Sequence, residues 1–513
     1  MKNIVNEYKK ELRKIFNNKL YMFSIILTAI LGYGYLITHT TIGIDDTCLD
    51  RYYGGLYSNN NMIALGGRWG SYFFCKLLNL TNFTPFWTEL LTIIMYVFTA
   101  IIISCFINKN FSIKNNLVSI IFSCIYISYS LINEALIFQP SNIALIFGNL
   151  LTIISAILIY EGYSANCKKK EYILPALIFT LGISMYESCC QTFLVAILFC
   201  SLYNLVNKKQ DTKNILKFLL TAITILICSI ILNYFILYLF YFIGVPNELA
   251  QMAGEKQIDW LKYGLIDGTI LVFKYITAYT VKNIQYFPVL EFVVATVIGL
   301  VLSIYYSIKN KDTNVFNIYI VIVLSNFALS ILQCTYIMYR TCTSWSLFVA
   351  GVFTVTYTIM SNKKHLKTIA IVFATLLVLW QTRDLNQWFY SEYIKYQRDL
   401  KDAYQIADDI KKYAKDVSKP IVFAGMPDKG FQTANQIGAQ SNGLSVVWWG
   451  QKAFNDNSYE LIKFINSLGY RYRKPTDEQY EKGKQLAEEL ENYPKEGYVK
   501  EFEDIIVVKF RDI

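Results

Sequence analysis

The sequence predicts a polytopic α-helical membrane protein with a small α/β domain at its C-terminal end. Three observations carry this reading. Of 513 residues, 54% are hydrophobic and only 17% charged. Apolar runs of about 20 residues recur, each long enough to cross about 30 Å of hydrocarbon. Charge is divided unevenly: residues 1–382 hold 28 Lys/Arg against 17 Asp/Glu, and residues 383–513 hold 20 against 21. The net +10 therefore belongs to the apolar part, where it reads as membrane topology and not as nucleic-acid binding. The dense, balanced charge of 383–513 marks a water-exposed domain.

The chain opens with the basic stretch "MKNIVNEYKKELRKIFNNK". A long apolar run without a small-residue cleavage site follows, so it reads as a retained first span and not as a signal peptide. Eleven spans are expected, near 20–38, 86–107, 117–134, 142–160, 172–187, 190–206, 215–243, 289–308, 315–338, 345–360 and 368–382. Every second connection is lysine-rich, as in Lys168-Lys169-Lys170, Lys208, Lys209, Lys309, Lys311, Lys363 and Lys364. With the basic start, these form the cytoplasmic side by the positive-inside rule. The N-terminus is then inside and the domain of residues 383–513 outside. The stretch 269–288 is apolar but carries Lys274 and Lys282, which fits an interfacial or re-entrant helix better than a span.

The first outward loop, 39–85, carries the chemistry. It contains "GIDDTCLDRYYGG", with Asp45 and Asp46 side by side and Asp50 and Arg51 close behind. Only four arginines occur in residues 1–382: Arg13, Arg51, Arg68 and Arg340. The last three fall on the outward side, against the lysine trend. A guanidinium offers a planar fork suited to phosphate or carboxylate, so these arginines point to an anionic ligand there. Glu134, Glu187 and Glu291 lie at outward ends of spans, where an ionisable group is costly and faces a cavity or a partner.

The eleven cysteines form no CxxC pair and the only histidines are His39 and His365. Neither a disulfide framework nor a His-rich metal site is expected. In the tail, residues 383–410 read as an amphipathic helix, "KPIVFAG" (419–425) and "DIIVVKF" (504–510) as strands, and 458–470 and 476–494 as helices, with "TDEQ" as a capping start. Trp448 and Trp449 are core residues, membrane-interface anchors or a platform for a sugar face. No phosphate-loop, dinucleotide or serine-hydrolase motif is present.

This combination resembles the GT-C class of membrane glycosyltransferases. More narrowly, "GIDDTCLDRYYGG" followed by "LGGRWGSYFF" (65–74) looks like the bacterial GtrII glucosyltransferase family, which places an aspartate pair after its first span and a G-R-W motif in the same loop. "GISMYESCCQTFLVAI" is similar to that family's Tyr-Gln segment at a span boundary, with Glu187 in place of the Gln, and "FYSEYIKYQRDLKDAYQIADDI" is similar to the segment after its last span.

The resemblance implies an inverting hexosyl, most simply glucosyl, transfer from a polyprenyl-phosphate donor to a surface glycan such as O-antigen, lipopolysaccharide or wall polysaccharide. It implies a multi-pass protein of the bacterial plasma membrane whose catalytic face and tail are extracytoplasmic. It sets Asp45 or Asp46 as general base. Arg340, then Arg68, are expected on the donor phosphate. Asp50, Arg51, Trp69, Tyr186 and Glu187 are expected in supporting roles. Asp45, Asp46 and Glu187 could together hold Mg2+ or Mn2+, although nothing in the sequence requires a cofactor. Expected partners are the lipid-linked donor, the glycan acceptor and membrane lipid, with a sugar-lipid synthase and a flippase as functional neighbours. Two other readings stay open: a flippase or transporter for a lipid-linked sugar, against which no internal repeat is visible, and a polysaccharide polymerase.

Overall fold

A computed structural model describes residues 2–58, 61–110, 117–206, 212–247, 259–282, 288–336, 338–360, 364–425, 427, 445–447 and 458–511. Helix α1 (Lys2–Asn17) is amphipathic, burying Ile4 and Ile15 while Lys9, Lys10, Arg13 and Lys14 stay exposed. Glu161 anchors it, accepting from the Tyr8 hydroxyl and from Lys109 Nζ, both at 2.7 Å. Helix α2 (Lys19–Thr38) is opened by Asn18, whose side chain accepts from the Tyr21 N–H.

Three short helices fill the connection that follows: α3 (Leu49–Tyr53), α4 (Met62–Gly66) and α5 (Trp69–Leu77). The bundle continues with α6 (Trp87–Asn110), α7 (Leu117–Ser128), α8 (Asn133–Ile137), α9 (Asn142–Ser164), α10 (Ile173–Met185), α11 (Cys189–Val206) and α12 (Thr212–Phe242). Then come α13 (Trp260–Thr277), α14 (Leu290–Asn310), α15 (Asn314–Ser325), α16 (Ala328–Gln333), α17 (Ser344–Met360) and the 50-residue α18 (Lys364–Tyr413).

Among the described residues, seven helices are long and apolar enough to cross a membrane: α2, α6, α9, α11, α12, α14 and α18. An eighth span results if α7 and the following 130–137 segment, bent by 42°, act as one. The expected count of eleven is therefore not reached by helix length. The expected spans 172–187, 315–338 and 345–360 correspond to helices of 13, 12 and 17 residues. At 1.5 Å per residue these fall short of about 30 Å. The 315–338 segment breaks at Asn326–Phe327 before α16. The 269–288 stretch begins within α13, which is kinked at Gly264 (φ 71°), and runs into a π-helical turn, Ala278–Lys282; residues 283–287 lie outside the described set.

Small residues let the helices approach closely. A Cβ on Gly148 of α9 would lie 3.0 Å from the Gly182 carbonyl of α10, and one on Gly182 would lie 2.7 Å from Thr152 Oγ1. These contacts seat the last turn of α10 against α9, and Tyr186 and Glu187 follow directly after it.

Helix α18 contains neither Gly nor Pro and runs unbroken from the bundle into the tail. There Ala403, Ile406 and Ile410 join one apolar core with strand β1 (Ile421–Ala424) and helix α19 (Tyr459–Ser467). Helix α20 (Asp477–Ala487) starts at a capping box between Thr476 and Gln479. Strands β2 (Val499–Glu501) and β3 (Ile506–Lys509) complete a sheet of order β1-β3-β2. β1 runs parallel to β3, with Ile421 opposite Ile506, and β2 runs antiparallel to it. The same core receives one residue from far away: Ile44, from the connection after α2, is buried among these side chains.

Candidate active site

One end of the bundle gathers the C-terminus of α2, the N-terminus of α6, the α8–α9 corner, the α10–α11 turn and the N-terminus of α17. Two groups of charged side chains meet there. The first is acidic. Asp45 adopts a left-handed backbone conformation (φ 73°) and leads into the 3₁₀ turn Asp46–Cys48. The two aspartates are only 5% and 1% exposed. The Gly43 N–H donates to Asp46 Oδ2 at 2.7 Å, while Asp46 Oδ1 is buried without a partner among the described residues. Burial pushes the Asp46 carboxyl well above the usual carboxylate range, with the Gly43 and Gln139 N–H groups opposing and Asp45 and Glu89 adding like charge. Ile44, immediately before the pair, is held in the tail core, and α19 packs over the 46–48 turn. The aspartates are thus positioned by the bundle from one side and by the tail from the other.

Glu89, in the first turn of α6, belongs to this acidic group. It is 6% exposed, its Oε1 accepts a short hydrogen bond from the Gln139 amide, and its Oε2 has no partner among the described residues. It was not foreseen from the sequence, although an acid one turn inside an apolar run is itself a signal.

The second group is basic and built on the G-R-W motif. Asn61 caps α4, accepting from the N–H groups of Ile63 and Ala64 at 2.8 and 2.9 Å. The helix ends at Gly67 in the left-handed region (φ 64°), which suits glycine. Arg68 follows, and α5 starts with Trp69, whose indole N–H donates to Asn233 of α12 at 2.8 Å. Gly70 lets α5 lie directly on Ser184, where any side chain would collide. Arg68 is thereby aimed at the α10–α11 turn. Its Nε and Nη2 donate to the two oxygens of Glu187 at 3.0 and 2.8 Å, and its guanidinium lies 3.9 Å from the Tyr186 ring centre. Burial would raise the Glu187 carboxyl, but Arg68 outweighs it and leaves the group lowered.

Arg340 stands on the 3₁₀ turn Tyr339–Thr341 before α17. Its Nη1 donates to Glu134 of α8 at 3.2 Å and its guanidinium lies 4.3 Å from the Phe138 ring centre. Its Nε is buried without a partner among the described residues. Tyr186 and Arg68 both act on it electrostatically. The two guanidiniums therefore share Tyr186 as neighbour, each with one carboxylate and one aromatic face. Phe138 carries Arg340 and the next residue, Gln139, binds Glu89, so the basic and acidic groups share one stretch of backbone.

The expected residues thus fall into two adjoining sets: Asp45 and Asp46 in one, Arg68, Arg340, Tyr186 and Glu187 in the other. Trp69 supports from α5, held to Asn233. The side chains of Asp50 and Arg51, and Trp448 and Trp449, lie outside the described residues. Arg68 engages Glu187, and among the described residues no three His, Cys, Asp or Glu side chains are grouped to hold a metal ion. Further buried charge adjoins from α18, where Lys395 donates to Glu392 at 3.0 Å, and Glu392 acts on Glu134.

Compared with known protein families, residues 34–362 match the glucosyl transferase GtrII family. No curated protein and no solved structure matches the chain. The matched segment contains Asp45, Asp46, Arg68, Glu187 and Arg340, and the chain belongs to the GtrII glucosyltransferase family.

Proposed function

We propose that this GtrII-family protein moves a glucosyl residue from a polyprenyl-phosphate donor to a surface glycan at the extracytoplasmic face of the bacterial plasma membrane. The observation that supports this best is the adjacency of the two charged groups. The buried aspartate pair and the two arginines lie on elements that meet at one stretch of backbone, where Phe138 faces Arg340 and Gln139 binds Glu89, and a reaction between a hydroxyl and a phosphate-linked sugar needs both kinds of group.

In this reading the donor phosphate lies against Arg340, whose Nε has no partner among the described residues, with Arg68 second. Glu134 and Glu187 hold the two forks in place, and the Tyr186 and Phe138 rings fix their planes. Asp45 takes the proton of the acceptor hydroxyl as its oxygen bonds to the anomeric carbon. The bond from that carbon to the phosphate oxygen breaks, its electron pair stays on the phosphate, and the arginines stabilise the charge that develops. Attack opposite the leaving group inverts the anomeric centre.

The test is direct. Purified protein is incubated with a synthetic polyprenyl-phosphate glucose and a glycan acceptor. Free polyprenyl phosphate and a glycan heavier by one hexose are expected. Donor movement across a vesicle bilayer with no glycan product would favour a flippase and overturn the proposal.

A further inference from the structure

A cavity of about 500 Å³ opens toward the end of the bundle opposite Arg68 and Arg340. Its walls come from six helices: α6, α7, α9, α11, α14 and α17. Helix α17 lines it from Leu347 to Ile359, about 18 Å of helix. The deep wall is buried and apolar, with Phe122, Ile153, Ala156 and Leu347. The mouth is partly exposed, with Tyr203, Val206, Tyr306 and Ile359. Among the described residues no charged side chain lines it. The space cannot close by moving α17 onto α11, because Phe199 already packs on Gly351, where a Cβ would lie 2.8 Å from its ring. An apolar cavity of about 150 Å³ in a soluble protein already takes up benzene. One more than three times that size, among helices long enough to cross a membrane, fills with hydrocarbon.

One wall atom breaks the apolar pattern. The Thr356 and Thr358 hydroxyls of α17 donate to carbonyls four residues back, at 2.8 and 2.9 Å, as threonine does inside a helix. Thr354 does not: it is 4% exposed, and its Oγ1 is buried without a partner among the described residues. It stands five residues before Ile359, about 8 Å inside the mouth. The polar layer outside the hydrocarbon of a bilayer is about 5–7 Å deep on each side. Thr354 is therefore at the depth where a glycerolipid carries its ester carbonyls. Lys309 is exposed one helical turn beyond Tyr306 and makes no ion pair among the described residues, while nearby Asp312 accepts from the Asn314 N–H at 2.9 Å.

We infer that this cavity holds one acyl chain of an anionic glycerophospholipid from the leaflet at its mouth, with Thr354 donating to an ester carbonyl and Lys309 beside the headgroup phosphate. The chain fills the space between α17 and its neighbours and satisfies the one unpaired hydroxyl in the wall. A polyprenyl phosphate fits less well, since it has no ester carbonyl to offer Thr354. The inference does not depend on the transfer reading above.

Native mass spectrometry of the full-length protein tests it without any turnover. Delipidated protein is titrated with dioleoyl phosphatidylglycerol, with its diether analogue and with dioleoyl phosphatidylcholine. Wild type should bind one phosphatidylglycerol more tightly than either comparison lipid. Ala196→Phe, which fills the cavity, should weaken that first binding step by at least about tenfold. Thr354→Val keeps the shape and should lose the preference for ester over ether. Lys309→Ala should lose the preference for phosphatidylglycerol over phosphatidylcholine. Equal binding by wild type and Ala196→Phe would overturn the proposal, as would an unchanged preference in either of the other variants. Displacement of the bound phosphatidylglycerol by polyprenyl phosphate would also overturn it and assign the cavity to that lipid's tail. If Ala196→Phe fails to fold, the ester–ether comparison in Thr354→Val decides.

Discussion

The acidic and basic halves of this site handle charge in opposite ways. Each guanidinium is balanced: Arg68 by a two-pronged contact to Glu187 and Arg340 by Glu134, with Tyr186 and Phe138 beneath. On the other half, Asp46 and Glu89 are buried and make no ion pair among the described residues. Balanced pairs are cheap to keep and rigid, which suits a surface that must present fixed positive charge to a phosphate. Buried carboxyls held by backbone and amide N–H groups are costly to ionise, and such groups cluster where chemistry uses them. The comparison therefore divides the labour: the arginines bind and the acids react.

Substitutions can break or sharpen that division. The largest effect is expected from Asp45→Asn, which keeps the shape and removes the base. Turnover should fall by about 10²–10⁴-fold, measured as released polyprenyl phosphate; wild-type turnover would remove the acids from the chemistry. Next is Arg340→Lys, which keeps the charge but loses the planar fork over Phe138. A loss of about 10²-fold in kcat/KM is expected, and an unchanged value would take Arg340 off the donor. Glu187→Gln should cost about tenfold, since it replaces a charge-assisted contact to Arg68 with a neutral one, and the cost should appear mainly in KM. The smallest is Ile44→Val, which trims the residue joining the aspartate loop to the tail. A stability loss of about 1 kcal/mol and a few-fold drop in kcat are expected; a drop in neither would show that the tail does not set the loop.

Much of the basic half was legible in the sequence, because it rests on local rules. Arginine is scarce in residues 1–382, so Arg68 and Arg340 stood out, and Gly67 and Gly70 flank Arg68 where a left-handed cap and a close approach are needed. The capping start at Thr476 was readable for the same reason. What was hidden depends on contacts between distant segments. Glu89 joins the aspartates only because the α8–α9 corner brings Gln139 to it. Ile44 enters the tail core across more than 350 residues of chain. The arginines' carboxylate partners, at separations of 119 and 206 residues, were likewise invisible as pairs. Span boundaries were less legible because apolar composition does not show where a helix stops: α10 ends before Tyr186, and α15 breaks at Asn326–Phe327.

The most direct measurement sets binding against turnover in two variants. Affinity for polyprenyl-phosphate glucose and the rate of glucosyl transfer are measured for wild type, Asp45→Asn and Arg340→Lys. The account predicts that Asp45→Asn binds donor as wild type does but transfers almost nothing, while Arg340→Lys binds donor more weakly. Loss of donor binding in Asp45→Asn, or wild-type donor affinity in Arg340→Lys, would contradict it.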